Sequence, residues 1–179
     1  MGIDASLNST GIIVLADKEE TYYIIKPHVT KNQKKDPHIH YVEYNKTEDK
    51  VESLNNYIST LYSIIQQYKL DTVVIENVPF AQGSSSVVDL ALINGAIRCL
   101  CYMLGIKCVV VFPGVWKKDT LCNGAANKEY ITYNFKMLKP IFKEYTTKQI
   151  NDIADAFFIA KWFIWGGEKI KDRVEIIEN

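Results

Sequence analysis

The first part of the chain consists of short apolar and β-branched runs separated by polar turns. Three such runs, ending at Asp4, Leu15 and Ile25, predict a meander of three strands. Two later runs, 71–75 and 106–112, are almost continuously apolar, which is typical of strands buried on both faces of a sheet. The pattern therefore predicts a sheet with a meander at one side and buried strands at its centre.

Helical periodicity lies between and after these runs. Residues 51–68 carry apolar side chains at i, i+3, i+4 and i+7 spacing, which predicts an amphipathic helix. Similar stretches at 87–104 and 151–165 end at glycines, and lysine-rich helical pieces lie between them. The order of elements predicts an α/β fold, with a mixed central β-sheet flanked by helices, in a single domain over residues 1–179.

One segment does not follow either period. Residues 26–49 are polar and contain all three histidines, His28, His38 and His40. This is long for a connection, so we expect an insertion that is either functional or mobile. The histidines have no cysteine partner nearby and are expected to be solvated.

Composition places the chain among soluble globular proteins. It has 179 residues, 47% of them hydrophobic and 23% charged, and its formal net charge is zero. The start of the chain does not resemble a signal peptide, and no uninterrupted apolar run has the length of a membrane span. We therefore expect an intracellular protein that does not contact a membrane. Its four cysteines lack zinc-site spacing and are expected to be reduced.

Charge is unevenly distributed despite the neutral total. Residues 107–148 contain eight lysines against three acidic residues. A basic face beside an acidic one suits DNA binding next to a metal site, although such charge runs are more often only solvated surface. Arginine occurs only at Arg98 and Arg173, which hints at an AT-rich coding genome, as in some viruses and phages.

Four carboxylates lie at positions where a solvated acid is not usual. Asp4 and Glu76 end predicted strands, and Asp152 and Asp155 share one face of an apolar helix. Each alone has an ordinary explanation, such as a cap or an acid favoured by the helix dipole. Together they would be costly to bury without a cation, and oxygen ligands alone suit Mg²⁺ or Mn²⁺.

Four segments resemble, in order, the motifs of one family. Residues 2–11 resemble G-I-D-P-[GS]-x-x-x-T-G, and residues 74–78 resemble an I-E-x-V element that an aromatic residue (Phe80) follows. Residues 113–129 resemble P-x-x-[VW]-K-K-x-x-x-G-N-G-x-A-x-K-E, with Cys122 replacing a glycine, and residues 152–156 resemble D-x-x-D-A. The chain thus resembles the RuvC-type Holliday junction resolvases of the ribonuclease H-like superfamily. Cys122 is expected to alter the backbone path of its loop.

This resemblance implies a ribonuclease H-like fold and a junction-cutting endonuclease. Asp4, Glu76, Asp152 and Asp155 would hold two Mg²⁺ ions, with Mn²⁺ as a substitute, for direct hydrolysis that leaves 5′-phosphate and 3′-hydroxyl ends. Lys128 would add electrostatic stabilisation to this catalytic set.

The resemblance also implies partners: four-way and branched DNA, and a second copy of the chain. The residues that would contact DNA are Lys117, Lys118 and Lys128, with Phe80 and Trp116 as candidates for base stacking, although buried aromatic residues are commoner. The homodimer would form through the 84–104 helix, whose apolar residues core packing would explain equally well.

Two other functions stay open at this point. One is a ribonuclease H-like nuclease that acts on flaps, RNA–DNA hybrids or a transposition intermediate. The other is a catalytically silent junction-binding protein, which the four carboxylates argue against.

Overall fold

The computed structural model describes residues 1–78, 85–166 and 174–177, with side chains at 1–78 and 87–166. In these residues it contains seven strands, five α-helices and two short 3₁₀ turns (Gln33–Lys35 and Pro140–Phe142). In chain order the main elements are β1 (Gly2–Asp4), β2 (Thr10–Ala16), β3 (Glu19–Lys26), β4 (Ile39–Glu43), α1 (Lys50–Tyr68), β5 (Thr72–Glu76), α2 (Ser85–Leu104), β6 (Lys107–Val111), α3 (Pro113–Leu121), α4 (Lys128–Leu138), α5 (Thr147–Ile164) and β7 (Val174–Ile177).

The described strands form one mixed sheet in the order β4-β3-β2-β1-β5-β6-β7. At its centre β1 pairs antiparallel with β2 and parallel with β5, with Ile3 opposite Ile75. Because β1 and β5 run in the same direction, their last residues, Asp4 and Glu76, emerge at the same edge. The predicted α/β class and mixed sheet are confirmed.

Two apolar layers cover the faces of this sheet. One contains side chains of α1 and α2 packed on residues such as Ile3 and Ile75. The other contains side chains of α3, α4 and α5 packed on residues such as Val74 and Val109. The strands are buried on both sides, which explains their continuous apolar runs.

α5 lies very close to the centre of the sheet. A Cβ atom on Gly11 of β2 would stand 2.0 Å from the backbone oxygen of Asp152, and one on Gly2 would stand 2.4 Å from that of Ala156. Only glycine allows this approach, which brings the first half of α5 over the edge where β1 ends.

The polar 26–49 segment is more ordered than its composition indicates. It contains β4, which pairs parallel with β3 at the edge of the sheet, and Ile39 there is only 2% exposed. The alternation in β4 is short and lies among prolines and histidines, so periodicity alone did not predict it. The three histidines are exposed, as expected.

α2 contains an 18-residue stretch, Val87–Leu104, with a mean hydropathy of 1.7, which by length and composition alone would suffice to cross a membrane. The stretch includes Asp89, Asn94 and Arg98. One face of it packs in the core through Ile93 and Ile97. Such packing is typical of a core helix that has a second apolar face.

Candidate active site

The four predicted carboxylates come from three elements that meet at one edge of the sheet. β1 and β5 supply Asp4 and Glu76, and α5 supplies Asp152 and Asp155 from adjacent turns. Asp4 and Glu76 are partly buried and line one small cavity, and Asp155 is 8% exposed. All four charges lie near enough to act on one another. The structure thus brings together what the sequence singled out.

The two α5 carboxylates differ in their partners. Asp152 accepts hydrogen bonds from Ser9 Oγ and, at 2.7 Å, from Asn151 Nδ2. Asp155 Oδ1 is buried with no hydrogen-bond partner. A buried oxygen without a donor is costly, and a bound ligand would be one way to supply its missing partner.

Lys128, at the first turn of α4, is the cation nearest these acids among the described residues. Its Nζ lies 3.4 Å from Asp155 Oδ2 and 3.9 Å from Asp152 Oδ1, while its side chain stays 55% exposed. Burial opposes its charge, but Asp155, Asp4 and Asp152 raise the pKa of Lys128. It is therefore a permanent positive charge that faces both the carboxylates and solvent.

Burial and mutual repulsion raise the pKa values of three of the acids. Burial, then the charges of Asp155 and Glu76, raises the pKa of Asp4 well above its usual value. Burial also raises the pKa of Glu76 and of Asp155, against the opposing effects of Trp116 on the former and Lys128 on the latter. The protein alone thus disfavours the ionised forms of these three acids.

Trp116 occupies a different place from the one predicted. Its ring is only 1% exposed, so it is not available to stack on a DNA base, and that prediction is wrong. Its Nε1 instead donates a 2.8 Å hydrogen bond to Glu76 Oε1. Because the apolar side of α3 packs on the sheet, Trp116 points inward and orients a site carboxylate.

The other residues predicted to contact DNA lie around this site or outside the description. Lys117 Nζ lies 5.3 Å from the centre of the Trp116 ring, and its charge lowers the pKa of Glu76 and of Asp155. Lys118 is exposed on α3. Phe80 lies outside the described residues. Lys117 and Lys128 are thus the two of these lysines whose charges act on the carboxylates.

The residues present suit a divalent cation. All four donors are carboxylates, which suit hard ions such as Mg²⁺, and Asp155 Oδ1 lacks a partner. In residues 1–78 and 87–166, no three acidic, histidine or cysteine side chains are yet close enough to coordinate one ion. Lys128 pairs with two of them instead.

Comparison with known proteins assigns the family. The model of the family described as crossover junction endodeoxyribonuclease RuvC matches residues 1–162. This chain belongs to the RuvC family. A crossover junction endodeoxyribonuclease RuvC of Ehrlichia ruminantium (strain Gardel) is 29% identical over 168 residues, which cover 89% of this chain and 92% of that protein. Nucleases of the RuvC family depend on divalent metal ions.

Solved structures agree on the fold. Thermus thermophilus RuvC matches with a TM-score of 0.63 at 16% identity, covering 98% of each chain. T. thermophilus RuvC in complex with a Holliday junction substrate matches with a TM-score of 0.60 at 16% identity, covering 89% of this chain and 88% of that one. The predicted ribonuclease H-like fold is thereby confirmed.

Sequence reasoning missed several residues that support this RuvC-family site. Ser9 holds Asp152, and Asn94 donates from Nδ2 to the backbone oxygen of Glu76 at 2.8 Å. Asn94 is 5% exposed and lies between apolar core residues of α2. A single amide at a core position of a helix is the sequence feature that could have identified it. No spacing rule points to Ser9.

Proposed function

We propose that this chain is a structure-selective DNA endonuclease that resolves Holliday junctions and related branched DNA by metal-dependent hydrolysis. The observation that carries the proposal is the convergence of four partly or fully buried carboxylates beside Lys128, in a chain that belongs to the RuvC family. Its substrate would be DNA inside a cell or at a site of viral genome replication.

Asp4, Glu76, Asp152 and Asp155 are the proposed ligands of two divalent ions, Mg²⁺ or in substitution Mn²⁺. When bound, such ions activate a water and stabilise the leaving oxygen of a phosphodiester. The protein's own contribution is orientation: Trp116 and Asn94 hold Glu76, and Ser9 holds Asp152. No serine, tyrosine or histidine is proposed as a nucleophile. As the resemblance implies, direct hydrolysis would break the P–O3′ bond and leave 5′-phosphate and 3′-hydroxyl ends.

Lys117, Lys118 and Lys128 are proposed to hold the phosphates of the cleaved strand. Lys128 is also proposed to stabilise charge that develops on the reacting phosphate, because its Nζ faces two site carboxylates and solvent at once. Binding through lysine charges predicts affinity that falls steeply with salt.

A homodimer is proposed because a four-way junction has two-fold symmetry and paired nicks need two sites. The exposed stripe of α2 that supports it runs through Val88, Leu92, Gly95, Cys99 and Met103. Ile93, Ile97 and Leu100 of the same helix lie in the core instead. Gly95 has no atom near its missing Cβ, which allows close approach of a second helix.

The test compares four labelled substrates with Mg²⁺: a four-way junction, a flap, an RNA–DNA hybrid and a linear duplex. Preferential cleavage of the junction is expected. Cleavage mainly of flaps or hybrids would favour the alternative nuclease. Tight junction binding without cleavage in Mg²⁺ or Mn²⁺ would favour a silent junction-binding protein.

A further inference from the structure

A cavity of about 280 Å³ lies directly beside the candidate active site. Leu90 of α2 lines both this cavity and the small one that contains Asp4 and Glu76. Its other walls are the loop after β1, the end of the 26–49 segment and the start of α1. This volume is close to the lower end of ligand pockets, roughly 300 Å³, so the cavity has room for at most one nucleotide and excludes a duplex.

The lining of this cavity matches the phosphate and the base of a nucleotide. Lys46 and Lys50 supply two positive charges against the single acid Asp89, which pairs with Lys50 at 2.8 Å. Leu7 and Leu90 supply apolar surface, which suits the face of a base. Lysines bind phosphate as point charges. The two lysines therefore suit the phosphate of a nucleotide, whereas the two leucines suit its base.

Asn8 supplies hydrogen-bonding capacity for the edge of the base. Its Oδ1 accepts a 3.0 Å hydrogen bond from Lys46 Nζ, which orients the side-chain amide. Its Nδ2 makes no hydrogen bond to any described residue and can therefore donate to a ligand. Asparagine amides pair well with the acceptor atoms of bases.

Buried hydrogen bonds hold the walls in place. Tyr44 is 3% exposed, and its hydroxyl donates to the backbone oxygen of Leu7 at 2.5 Å. Ser53, also 3% exposed, donates to Thr47 O at 3.0 Å and accepts from Thr47 N at 2.8 Å. The polar 26–49 segment is thereby tied to the loop that follows a site carboxylate, so the cavity exists before any ligand arrives.

We propose that this cavity captures one unpaired nucleotide of the DNA strand next to the scissile phosphate. Lys46 and Lys50 bind its phosphate, and Asn8 binds its base edge. This proposal rests on the proposed function and deepens it, because a base leaves the stack with least cost where pairing is already broken, as at a crossover. The 26–49 segment would thus contribute to selection of junctions over duplex.

The test uses full-length protein and synthetic four-way junctions that carry one abasic residue at each of three positions on either side of the cut. Junction binding is measured by fluorescence anisotropy in EDTA, and cleavage is measured with Mg²⁺. The variants are Asn8→Ala and Lys46→Ala, with Lys31→Ala as the control, since Lys31 is exposed in the same segment but does not line the cavity. Thermal unfolding verifies that each variant folds.

For wild type, one abasic position is expected to weaken binding roughly three- to tenfold, the loss of about one hydrogen-bonded contact. Asn8→Ala should weaken binding of the intact junction similarly and lose its sensitivity to that position. Lys46→Ala should lower the salt slope by about one. It should weaken binding less than additively with the abasic residue, because Lys46 also orients Asn8. Lys31→Ala should resemble wild type.

The proposal is overturned if every abasic position is tolerated equally, or if Lys46→Ala behaves as Lys31→Ala does. Wild-type protein that binds the junction but does not cleave it would contradict only the proposed activity. The anisotropy measurements would still show whether the cavity captures a nucleotide. Wild-type protein that binds no junction would contradict both.

Discussion

Replacing Trp116 with phenylalanine should slow cleavage far more than it destabilises the fold. The change removes the Nε1–H that donates to Glu76 Oε1 at 2.8 Å together with part of the buried ring volume, and it leaves a smaller aromatic ring in the same core layer. A hydrogen bond to a charged group contributes about 1.5–3 kcal/mol. Since about 1.4 kcal/mol is a tenfold change in rate, the cleavage rate should fall roughly 10- to 100-fold.

The pH profile of Trp116→Phe should change in a defined direction. Burial raises the pKa of Glu76, and the hydrogen bond from Trp116 lowers it. Without that bond the pKa rises further, so less of Glu76 is ionised at a given pH. The acid limb of the single-turnover cleavage rate should therefore move to higher pH, with a larger loss at pH 6 than at pH 8.

Trp162→Phe is the matched control. Trp162 is also 1% exposed, and its Nε1 also donates to a carboxylate, Asp119 Oδ2, at 3.0 Å. It should show a similar change in thermal midpoint but retain near wild-type cleavage. The reasoning is refuted if the two variants lose equal activity, or if the acid limb of Trp116→Phe coincides with that of wild type.

Three further substitutions probe the same site. Asp4→Asn should abolish cleavage yet raise the thermal midpoint in EDTA at neutral pH, because burial and neighbouring acids raise the pKa of Asp4 and its ionised form destabilises the fold. Gly11→Ala should lower both midpoint and cleavage, since its Cβ would stand 2.0 Å from Asp152 O, and overpacking costs about 1–3 kcal/mol. Lys128→Ala should slow single-turnover cleavage roughly 100- to 1,000-fold, because its charge faces Asp155 at 3.4 Å.

Each of these has its own control. The gain from Asp4→Asn should shrink as pH falls toward the unfolded carboxyl pKa, where ionised Asp4 no longer costs stability; a constant gain would contradict its cause. Gly114→Ala, whose Cβ meets its nearest atom at 3.9 Å, should leave the midpoint unchanged, unlike Gly11→Ala. Lys136→Ala, on the same helix as Lys128, should retain cleavage. If it lost as much cleavage as Lys128→Ala, the effect would come from overall positive charge and not from the position of Lys128 beside the acids.

Much of the fold follows from periodicity in the sequence. The meander, the buried strands and α1 were predictable because each is a local pattern. β4 was not, because it is short and its pairing with β3 depends on a crossover through polar residues. α5 begins at Thr147, earlier than its apolar pattern indicates, since a capping box between Thr146 and Gln149 starts it.

The candidate site was likewise predictable only in part. The four carboxylates were predictable because acids at strand ends and on an apolar helix face are unusual and match known motifs. The inward orientation of Trp116 was not, since it depends on how α3 packs on the sheet. Cys122 adopts a left-handed conformation with φ 56, which favours glycine, the residue that the resembled motif has at this position. Its cost is local backbone strain, which spacing alone does not reveal.

The most direct test of the account maps both cuts made in a labelled four-way junction with Mg²⁺, for wild type and Asp155→Asn. We expect paired nicks at symmetric positions near the crossover, with 5′-phosphate ends that ligase can rejoin, and none with Asp155→Asn or on linear duplex. Cleavage that persists in Asp155→Asn, or that is equally efficient on duplex, would contradict it.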